Sequence, residues 1–217
     1  MADKSVLSTY KSVAASSTDA HVVDAITGAK IAVVGAVINQ GDTTASTVTF
    51  NSLPWTNEVQ TITVDATGGT FTITYSGQTT SATAYNASAS TVQTNLVALS
   101  NIDSGDVTVT GGPGDAGGTT PYVLTFGGAL AQKDVAAVTT NAGSLTGGAG
   151  TATVATSTAG PVGTALTPAF KAGANGTIAL APGEGAWFRT NAGEGLSVTT
   201  GAGSTTGIQV QYVIERA

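Results

Sequence analysis

The residues of this sequence best suited to acid–base chemistry are two glutamates in a glycine-rich stretch, APGEGAWFRTNAGEGLSV, at residues 181–198. Paired carboxylates hydrolyse glycosidic bonds only when they face each other across a cleft, at most about 9.5 Å apart. Glu184 and Glu194 flank a predicted strand over residues 186–191, which separates them by roughly 20 Å at about 3.3 Å per residue. We therefore interpret them as residues of two turns that bracket a strand.

A second candidate, GPGDAG at residues 112–117, matches the G-x-G-x-x-G pattern of dinucleotide-binding loops. Such a loop must open a helix, because the helix N-terminus binds the pyrophosphate. The segment that follows, YVLTF at 122–126, has the alternating pattern of a strand. The pattern therefore predicts a glycine-rich hairpin loop and no nucleotide cofactor.

The other candidate groups are equally weak. His21 has Asp19 and Asp24 close in sequence, but no serine stands in a Gly-x-Ser-x-Gly nucleophile elbow. Asp103 and Asp106 offer carboxylate oxygens for Ca²⁺, yet the spacing of an EF-hand loop is missing. The absence of cysteine removes thiolate chemistry and soft metal sites. We predict a non-enzymatic protein with no catalytic, cofactor-binding or metal-binding residues.

Composition restricts the partners. With 7 basic and 13 acidic residues the net charge is −6, so the chain lacks the positive surface that nucleic acids require. The longest apolar run, residues 31–38, is too short to span a bilayer, and the first 20 residues lack the apolar core of a signal peptide. We expect a protein made in the cytoplasm that contacts neither nucleic acid nor membrane.

Runs rich in β-branched and aromatic residues, bounded by Gly, Asn, Asp or Pro, recur along the whole chain and predict a mainly β protein. One segment differs: Val92, Leu96, Val97 and Leu99 fall on one face of a helix predicted over about residues 89–99. Ser90 and Gln93 have the spacing of a capping box at its start.

The middle of the chain has the character of a separate module. It carries six acids and one base, a net charge of −5, whereas the flanking segments together carry −1. Turn-like stretches, SLPWT at 52–56 and TSTAGP at 156–161, mark its edges. We predict an inserted β-rich domain at 54–160 within a discontinuous domain formed by 20–53 and 161–217. The latter has about eight strands, the number in a jelly-roll β-sandwich. Residues 1–19 are predicted to be an arm that orders on a partner, or else a frayed terminus.

The discontinuous domain resembles the small jelly-roll proteins of tailed bacteriophages, which are similar in fold to tumour necrosis factor. The segments that carry the resemblance are VVDAITGAKIAVVGAVI at 22–38, GTIALAPG at 176–183 and WFRTNAGEGLSV at 187–198. The inserted segment resembles a module found in phage heads, tails and fibres, through GTFTITYSGQTT at 69–80, AYNASASTVQ at 84–93 and DVTVTGGPG at 106–114.

This resemblance implies a virion structural protein: a homotrimeric capsid decoration, or cement, protein. Such trimers sit on the outside of the head at three-fold and quasi-three-fold positions, bind the major capsid protein and stabilise the shell. The inserted domain would then project outward. The alternative is a tail or fibre component, with the inserted domain binding host glycans, and a secreted carbohydrate-binding protein is the weakest of the three.

Aromatic side chains on predicted strands are candidates for an interface. Successive strand residues point to opposite faces, so one of Trp187 and Phe188 is expected in the core and the other at a surface or an interface. We take Trp187, Phe188, Arg189, Tyr10 and Tyr212 as candidate interface residues.

Overall fold

The computed structural model describes residues 5–41, 44–183, 185–203 and 206–216. Within them the chain forms antiparallel sheets and one α-helix, which confirms the mainly β fold class. In chain order the elements are β1 Leu7–Val13, β2 Ala20–Val23, β3 Ala29–Gln40, β4 Ser46–Leu53, β5 Val59–Asp65, β6 Gly68–Tyr75, β7 Gln78–Thr79, β8 Thr83–Ala84, α1 Ala89–Val97, β9 Val107–Gly111, β10 Tyr122–Phe126, a 3-10 turn at Gly128–Leu130, β11 Thr139–Thr146, β12 Thr151–Thr158, β13 Thr164–Ala165, β14 Phe170–Ala172, β15 Thr177–Leu180, β16 Phe188–Arg189, β17 Gly195–Thr200 and β18 Thr206–Arg216.

The chain divides into two compact units. The sandwich unit comprises residues 1–55 and 162–217, and the inserted unit comprises residues 56–161. The sequence analysis placed the inserted domain at 54–160. The insertion lies between β4 and β13, which are themselves hydrogen-bonded neighbours in one sheet.

The sandwich unit consists of two antiparallel sheets. Its front sheet has the order β1-β18-β3-β15, with β16 also paired to β3, and its back sheet has the order β13-β4-β17-β2, with β14 also paired to β4. In each sheet a strand from the C-terminal part of the chain separates two strands from the N-terminal part. This interleaving is the connectivity of a jelly roll.

The core of the sandwich unit lies between the two sheets. Ile38 and Val210 of the front sheet and Phe50 of the back sheet belong to one buried apolar cluster. A β-bulge in β3 affects which residues face this core: Gln211 pairs with Gly35, but Tyr212 pairs with Val33, so Val34 is an extra residue. Because of it, Val33 and Ala36 both point inward although they are three residues apart.

The prediction that residues 1–19 form a separate arm is wrong for residues 7–13. This segment is strand β1, and it pairs with β18 from Leu7 opposite Tyr212 to Val13 opposite Thr206. Its pattern gave no signal because β1 is an edge strand: Val13 alone is buried, and the residues before it are exposed or half-buried. Residues 1–4 lie outside the described part of the chain.

The inserted unit also has two sheets around its own apolar core. One has the order β12-β5-β10-β9, and the other has the order β11-β6-β7, with β8 also paired to β6. Ile62, Phe71 and Tyr122 contribute side chains to the core, and Val92 and Leu96 of α1 cover one side of it. The helix contacts β9 and β8.

The predicted helix is present, but its predicted capping box is wrong. The N-cap is Ser88, whose hydroxyl accepts a hydrogen bond from the backbone N–H of Thr91. Gln93 is instead turned toward the sheet, where its carbonyl oxygen accepts a hydrogen bond from the backbone N–H of Val109 at 2.9 Å. Three hydroxyl residues, Ser88, Ser90 and Thr91, precede the first buried position of the helix, so spacing alone did not identify the cap.

The glycine-rich segment 112–117 is a hairpin loop, as predicted, because β9 and β10 are antiparallel neighbours with Gly111 opposite Tyr122. The loop folds over the Tyr122 ring: Gly112 has a φ of +62°, and a Cβ there would lie 2.2 Å from the ring. The Tyr122 hydroxyl accepts from the backbone N–H of Gly114 at 3.2 Å and donates to the carbonyl of Ala87 at 2.6 Å. These glycines therefore serve the packing of a buried tyrosine.

Candidate interaction surface

The exposed apolar side chains of this protein are unevenly distributed between its two units. Within the described residues, every large apolar side chain that is exposed belongs to the sandwich unit: Val6, Leu7, Tyr10, Trp55, Val162 and Trp187. In the inserted unit, the corresponding side chains are buried or half-buried. Surface with the composition of a contact site is therefore concentrated in the sandwich unit.

One of these side chains, Tyr10, stands on the outward side of the front sheet, and we call the part of that side around it the front face. Tyr10, Gln209, Val37 and Ala179 stand side by side in one row across β1, β18, β3 and β15. Neighbouring rows continue this side of the sheet, because alternate residues of a strand share a face. The members of the front face are Ser8, Tyr10, Ser12, Gly35, Val37, Asn39, Thr177, Ala179, Gly207, Gln209 and Gln211.

None of these eleven residues carries a formal charge. Beyond the β-bulge in β3, the same side of the sheet carries the ion pair of Arg189 with Glu215, so the uncharged area is limited to the part of the sheet on the other side of the bulge. The polar groups on the front face are amides and hydroxyls. Two of them are hydrogen-bonded to each other, because the Gln209 side-chain amide donates to the Ser8 hydroxyl at 3.4 Å. The face therefore offers neutral hydrogen-bonding groups around apolar side chains.

Two glycines determine the shape of the front face. At Gly207 a Cβ would lie 2.9 Å from the Tyr10 hydroxyl, so the absence of a side chain lets the tyrosine lie down against β18. At Gly35 a Cβ would lie 2.9 Å from the Gln211 side-chain oxygen and 3.2 Å from Cγ of Pro182. Glycine at both positions therefore allows neighbouring side chains to close over the strand.

A small pocket of about 100 Å³ opens on this face. It is lined by Ala36, Val37, Leu180, Pro182, Gln209 and Gln211. Its volume is below the roughly 150 Å³ of a cavity that holds benzene. The pocket is therefore of a size to take a short aliphatic group, with two glutamine amides at its edge.

Trp187 is fixed in place although it is exposed. Its backbone N–H donates to the carbonyl of Val33 at 2.7 Å, and its indole Nε1 donates to the carbonyl of Ala181 at 3.0 Å. The side chain nevertheless remains 56% exposed. An aromatic ring held in one orientation at a surface loses little conformational entropy when a partner covers it.

The neighbours of Trp187 have different environments. Phe188 points inward, where its ring centroid lies 5.0 Å from that of Phe50. Arg189 forms an ion pair with Glu215, with Nε and Oε2 2.8 Å apart, and this hydrogen bond raises the pKa of the guanidinium. The alternation between core and surface expected from the sequence is therefore observed across Trp187 and Phe188.

Of the five interface candidates, Tyr10 and Trp187 are well exposed. Phe188 and Tyr212 are half-buried and pack against the core cluster of the sandwich unit. Arg189 is exposed and already paired with Glu215. Sequence reasoning missed Val37, Gln209 and Gln211; a usable signal was the GIQVQYV stretch at 207–213, in which glutamines alternate with core residues.

The residues considered for chemistry have structural roles. The Glu194 carboxylate accepts from the hydroxyl of Ser52 at 2.5 Å and from the side-chain amide of Asn191 at 3.0 Å, so it joins β4 to the turn before β17. Glu184 lies outside the described residues. Asp106 accepts hydrogen bonds from the backbone N–H groups of Asp103 and Ala129, at 3.0 and 2.7 Å.

Two further observations concern His21 and metal ligands. His21 Nδ1 lies 3.8 Å from the carboxylate of Asp24, a local contact three residues along the chain. Among the described residues there is no group of three or more His, Asp or Glu side chains that could hold a metal ion. In the same part of the chain, no helix is long and apolar enough to cross a membrane.

Comparison with known proteins gives one similar solved structure to report, a chain of Mycobacterium phage Patience. The two are 20% identical and superpose with a TM-score of 0.34. The match covers 70% of this chain and 58% of the phage chain, so this protein spans less than two thirds of that chain's length. No protein-family model matches the sequence, and no curated protein matches it.

Proposed function

We propose that this chain is a non-enzymatic structural protein of a tailed-bacteriophage virion, and specifically a homotrimeric decoration protein on the outer surface of the capsid. In this proposal the sandwich unit makes the contacts with other copies and with the major capsid protein, at three-fold and quasi-three-fold positions. The inserted unit projects away from the shell. The protein is made in the host cytoplasm and acts without a cofactor.

The observation that carries this proposal is the distribution of apolar surface between the two units. All exposed large apolar side chains in the described residues belong to the sandwich unit. That unit has the jelly-roll connectivity of the phage proteins that its sequence resembles. A unit that binds neighbours needs such surface, whereas a unit that projects into solvent needs to avoid it.

The surface of the inserted unit supports its projecting role. Threonines occupy outward positions on neighbouring strands, for example Thr61 and Thr63 on β5 and Thr153 on β12, which pairs with Thr63. The aromatic side chains Phe71, Tyr75, Tyr122 and Phe126 are buried, and Tyr85 is half-buried. Glycan binding by stacking on exposed aromatic rings therefore finds no support in the inserted unit.

Stabilisation of the shell would follow from mass action. A protein that binds the assembled lattice, and not its dissociated subunits, stabilises the lattice at each site by an amount that grows with the logarithm of its free concentration relative to Kd. A trimer that contacts several coat subunits at once binds tightly even if each single contact is weak. Neither step requires a reactive residue.

The test is binding of the purified full-length protein to empty, expanded capsids of the same virus. We expect the protein to sediment with the capsids at saturation, and cryo-electron microscopy to show extra density at three-fold positions, with the inserted unit outermost. Absence of binding to capsids, combined with labelling of the tail in intact virions, would contradict the decoration role and assign the chain to the tail or fibre.

A further inference from the structure

We propose that Asn175 is a site of spontaneous deamidation, at which its side-chain amide is converted to a carboxylate through a cyclic imide formed with the backbone nitrogen of Gly176. The reaction consumes water and needs no enzyme, metal or cofactor. Its site is the turn that joins β14 to β15 in the sandwich unit. The inference goes beyond the proposed function and does not depend on it, because the chemistry follows from this turn alone.

Asn175 differs from the other asparagines in the residue that follows it. Asparagine is one of the chemically labile residue types in proteins. The chain has nine asparagines, and only Asn175 precedes a glycine. In the other eight cases the next residue has a Cβ, which hinders the approach of its backbone nitrogen to the asparagine side chain. Glycine has no Cβ, so the attack on Asn175 is the least hindered.

The bonds made and broken in this reaction balance without an oxidant or a reductant. The Gly176 nitrogen attacks Cγ of Asn175 and closes the imide ring, while the bond from Cγ to Nδ2 breaks. The leaving nitrogen takes up the proton lost by the Gly176 nitrogen and departs as ammonia. Water then adds to either carbonyl of the imide, and opening of the ring gives aspartate or isoaspartate. Each product is ionised at neutral pH and adds one negative charge.

The side chain of Asn175 is accessible to this reaction. Gly173, Ala174 and Asn175 are exposed, and a Cβ added at Gly173 would have no atom within 4 Å. Asn175 has a φ of +51°, in the left-handed region that asparagine tolerates. Several other asparagines are held by hydrogen bonds that their side-chain amides donate: Asn51, Asn95, Asn101 and Asn191. Within the ranges that the structure describes, Asn175 donates no such bond.

The turn restrains the attacking nitrogen. The backbone N–H of Gly176 donates to the carbonyl of Gly173 at 2.9 Å, so this hydrogen bond must break before the nitrogen reaches the Asn175 side chain. An exposed turn opens locally at a smaller cost in free energy than unfolding of the whole unit. We therefore expect the folded chain to react at Asn175, and to react more slowly there than the unfolded chain.

The same turn requires glycine at position 176. A Cβ on Gly176 would lie 2.8 Å from the carbonyl oxygen of Gly173, which is closer than a real Cβ approaches a backbone atom. A side chain that protected Asn175 would therefore disturb the turn. Isoaspartate would disturb it as well, since it adds one carbon to the backbone between β14, which belongs to the back sheet, and β15, which belongs to the front sheet.

The experiment is peptide mapping by mass spectrometry of the full chain after incubation at mildly alkaline pH and physiological temperature, both folded and in concentrated guanidinium chloride. Enzymatic methylation of isoaspartate distinguishes that product from aspartate. Asn175→Gln is the blocked variant, because its longer side chain would have to close a larger ring. Asn86, which is also exposed but precedes Ala87, is the internal control.

We expect aspartate and isoaspartate to accumulate at position 175, and Asn175→Gln to stay unmodified there with the circular dichroism spectrum of wild type. If the turn is open about 1–10% of the time, the folded chain reacts about ten- to a hundredfold more slowly than the unfolded chain. An Asn175 that stays intact in the folded chain after about a hundred half-lives of the unfolded reaction, or that reacts no faster than Asn86, would overturn the inference. Capsid binding is not measured here, so these outcomes leave the proposed function to its own test.

Discussion

Val59 and Thr158 are register partners at the base of the inserted unit, so the first strand of that unit begins beside the end of its last strand. In the sandwich unit, Ser52 at the end of β4 is likewise the register partner of Thr164 at the start of β13. The inserted unit thus has adjacent ends, and it occupies the connection of an existing hairpin. Tolerated domain insertions are expected at such positions.

The first prediction is that the sandwich unit folds without its insertion. Deleting residues 56–161 leaves Leu53, Pro54, Trp55, Val162 and Gly163 between Ser52 and Thr164, which is a five-residue hairpin loop within the usual length. We expect the shortened protein to give the circular dichroism spectrum of a β-protein and a cooperative thermal transition. Residues 56–161 expressed alone should also fold, because they enclose their own core.

The matched control for the deletion is a chain that lacks residues 59–158 instead, which removes the same strands but keeps extra linker residues. Both deletions should fold if the hairpin at β4 and β13 is independent of the insertion. Aggregation of both, with loss of the cooperative transition, would contradict the independence of the two units.

The second prediction concerns Glu58, which is 2% exposed in the inserted unit. Its carboxylate accepts from the backbone N–H of Val135 at 2.6 Å and from the side-chain amide of Gln60 at 2.6 Å, and so ties the 132–138 segment to β5. Glu58→Ala should lower the free energy of unfolding of the inserted unit by about 1–3 kcal/mol, because a buried N–H loses its acceptor.

Urea unfolding measures this effect separately in each unit. Both tryptophans, Trp55 and Trp187, belong to the sandwich unit, so their fluorescence should not respond to Glu58→Ala, whereas circular dichroism should show an earlier transition. Asp134→Ala, at an exposed position of the same segment, is the control and should change stability by less than about 0.5 kcal/mol. Equal effects of the two substitutions would contradict the role assigned to Glu58.

The third prediction is a loss of stability at alkaline pH. Burial raises the pKa of Tyr75 and of Tyr122 above the ordinary value of 10.0, and the nearby charges of Glu58 and Asp106 raise that of Tyr75 further. The folded state therefore keeps protons that the unfolded state releases, so this contribution to stability is complete below pH 10.0 and is lost as pH rises through the folded-state pKa values.

The measurement is the urea midpoint of the inserted unit as a function of pH, compared between wild type and Tyr75→Phe. Phenylalanine cannot ionise, so the variant should lose less stability above pH 10.0 than wild type does. Tyrosinate absorbance should also show some of the five tyrosines ionising only as the protein unfolds. Identical slopes for the two proteins above pH 10.0 would rule out the effect for Tyr75.

Sequence patterns predicted those elements whose burial alternates cleanly. Strand β5 has buried residues at every second position, and α1 buries Val92 and Leu96 on one face. The spacing of apolar residues in the sequence therefore indicated a strand and a helix at these positions. Strand β1 has no such periodic spacing of apolar residues, because six of its seven residues are exposed or half-buried at a sheet edge. The bulge at Val34 likewise breaks the alternation of β3 from within.

The front face was harder to predict than the fold, because it results from pairing between distant parts of the chain. Tyr10 and Gln209 are 199 residues apart in sequence, yet they stand side by side on neighbouring strands. Trp187 was identified as a surface candidate because strand alternation is local. Val37 and the pocket beside it were not, since the pocket needs β3, β15 and β18 together.

The last prediction tests the packing of the hairpin loop on Tyr122. Gly112 and Gly77 both have positive φ, +62° and +84°, so alanine at either position should cost about 1–2 kcal/mol in backbone strain. At Gly77 no atom lies within 4 Å of the new Cβ, but at Gly112 that Cβ would lie 2.2 Å from the Tyr122 ring. Gly112→Ala should therefore destabilise the inserted unit by about 1–3 kcal/mol more than Gly77→Ala does. If urea unfolding gives equal losses for the two variants, then the loop moves freely away from Tyr122, and the glycine at 112 serves only the backbone.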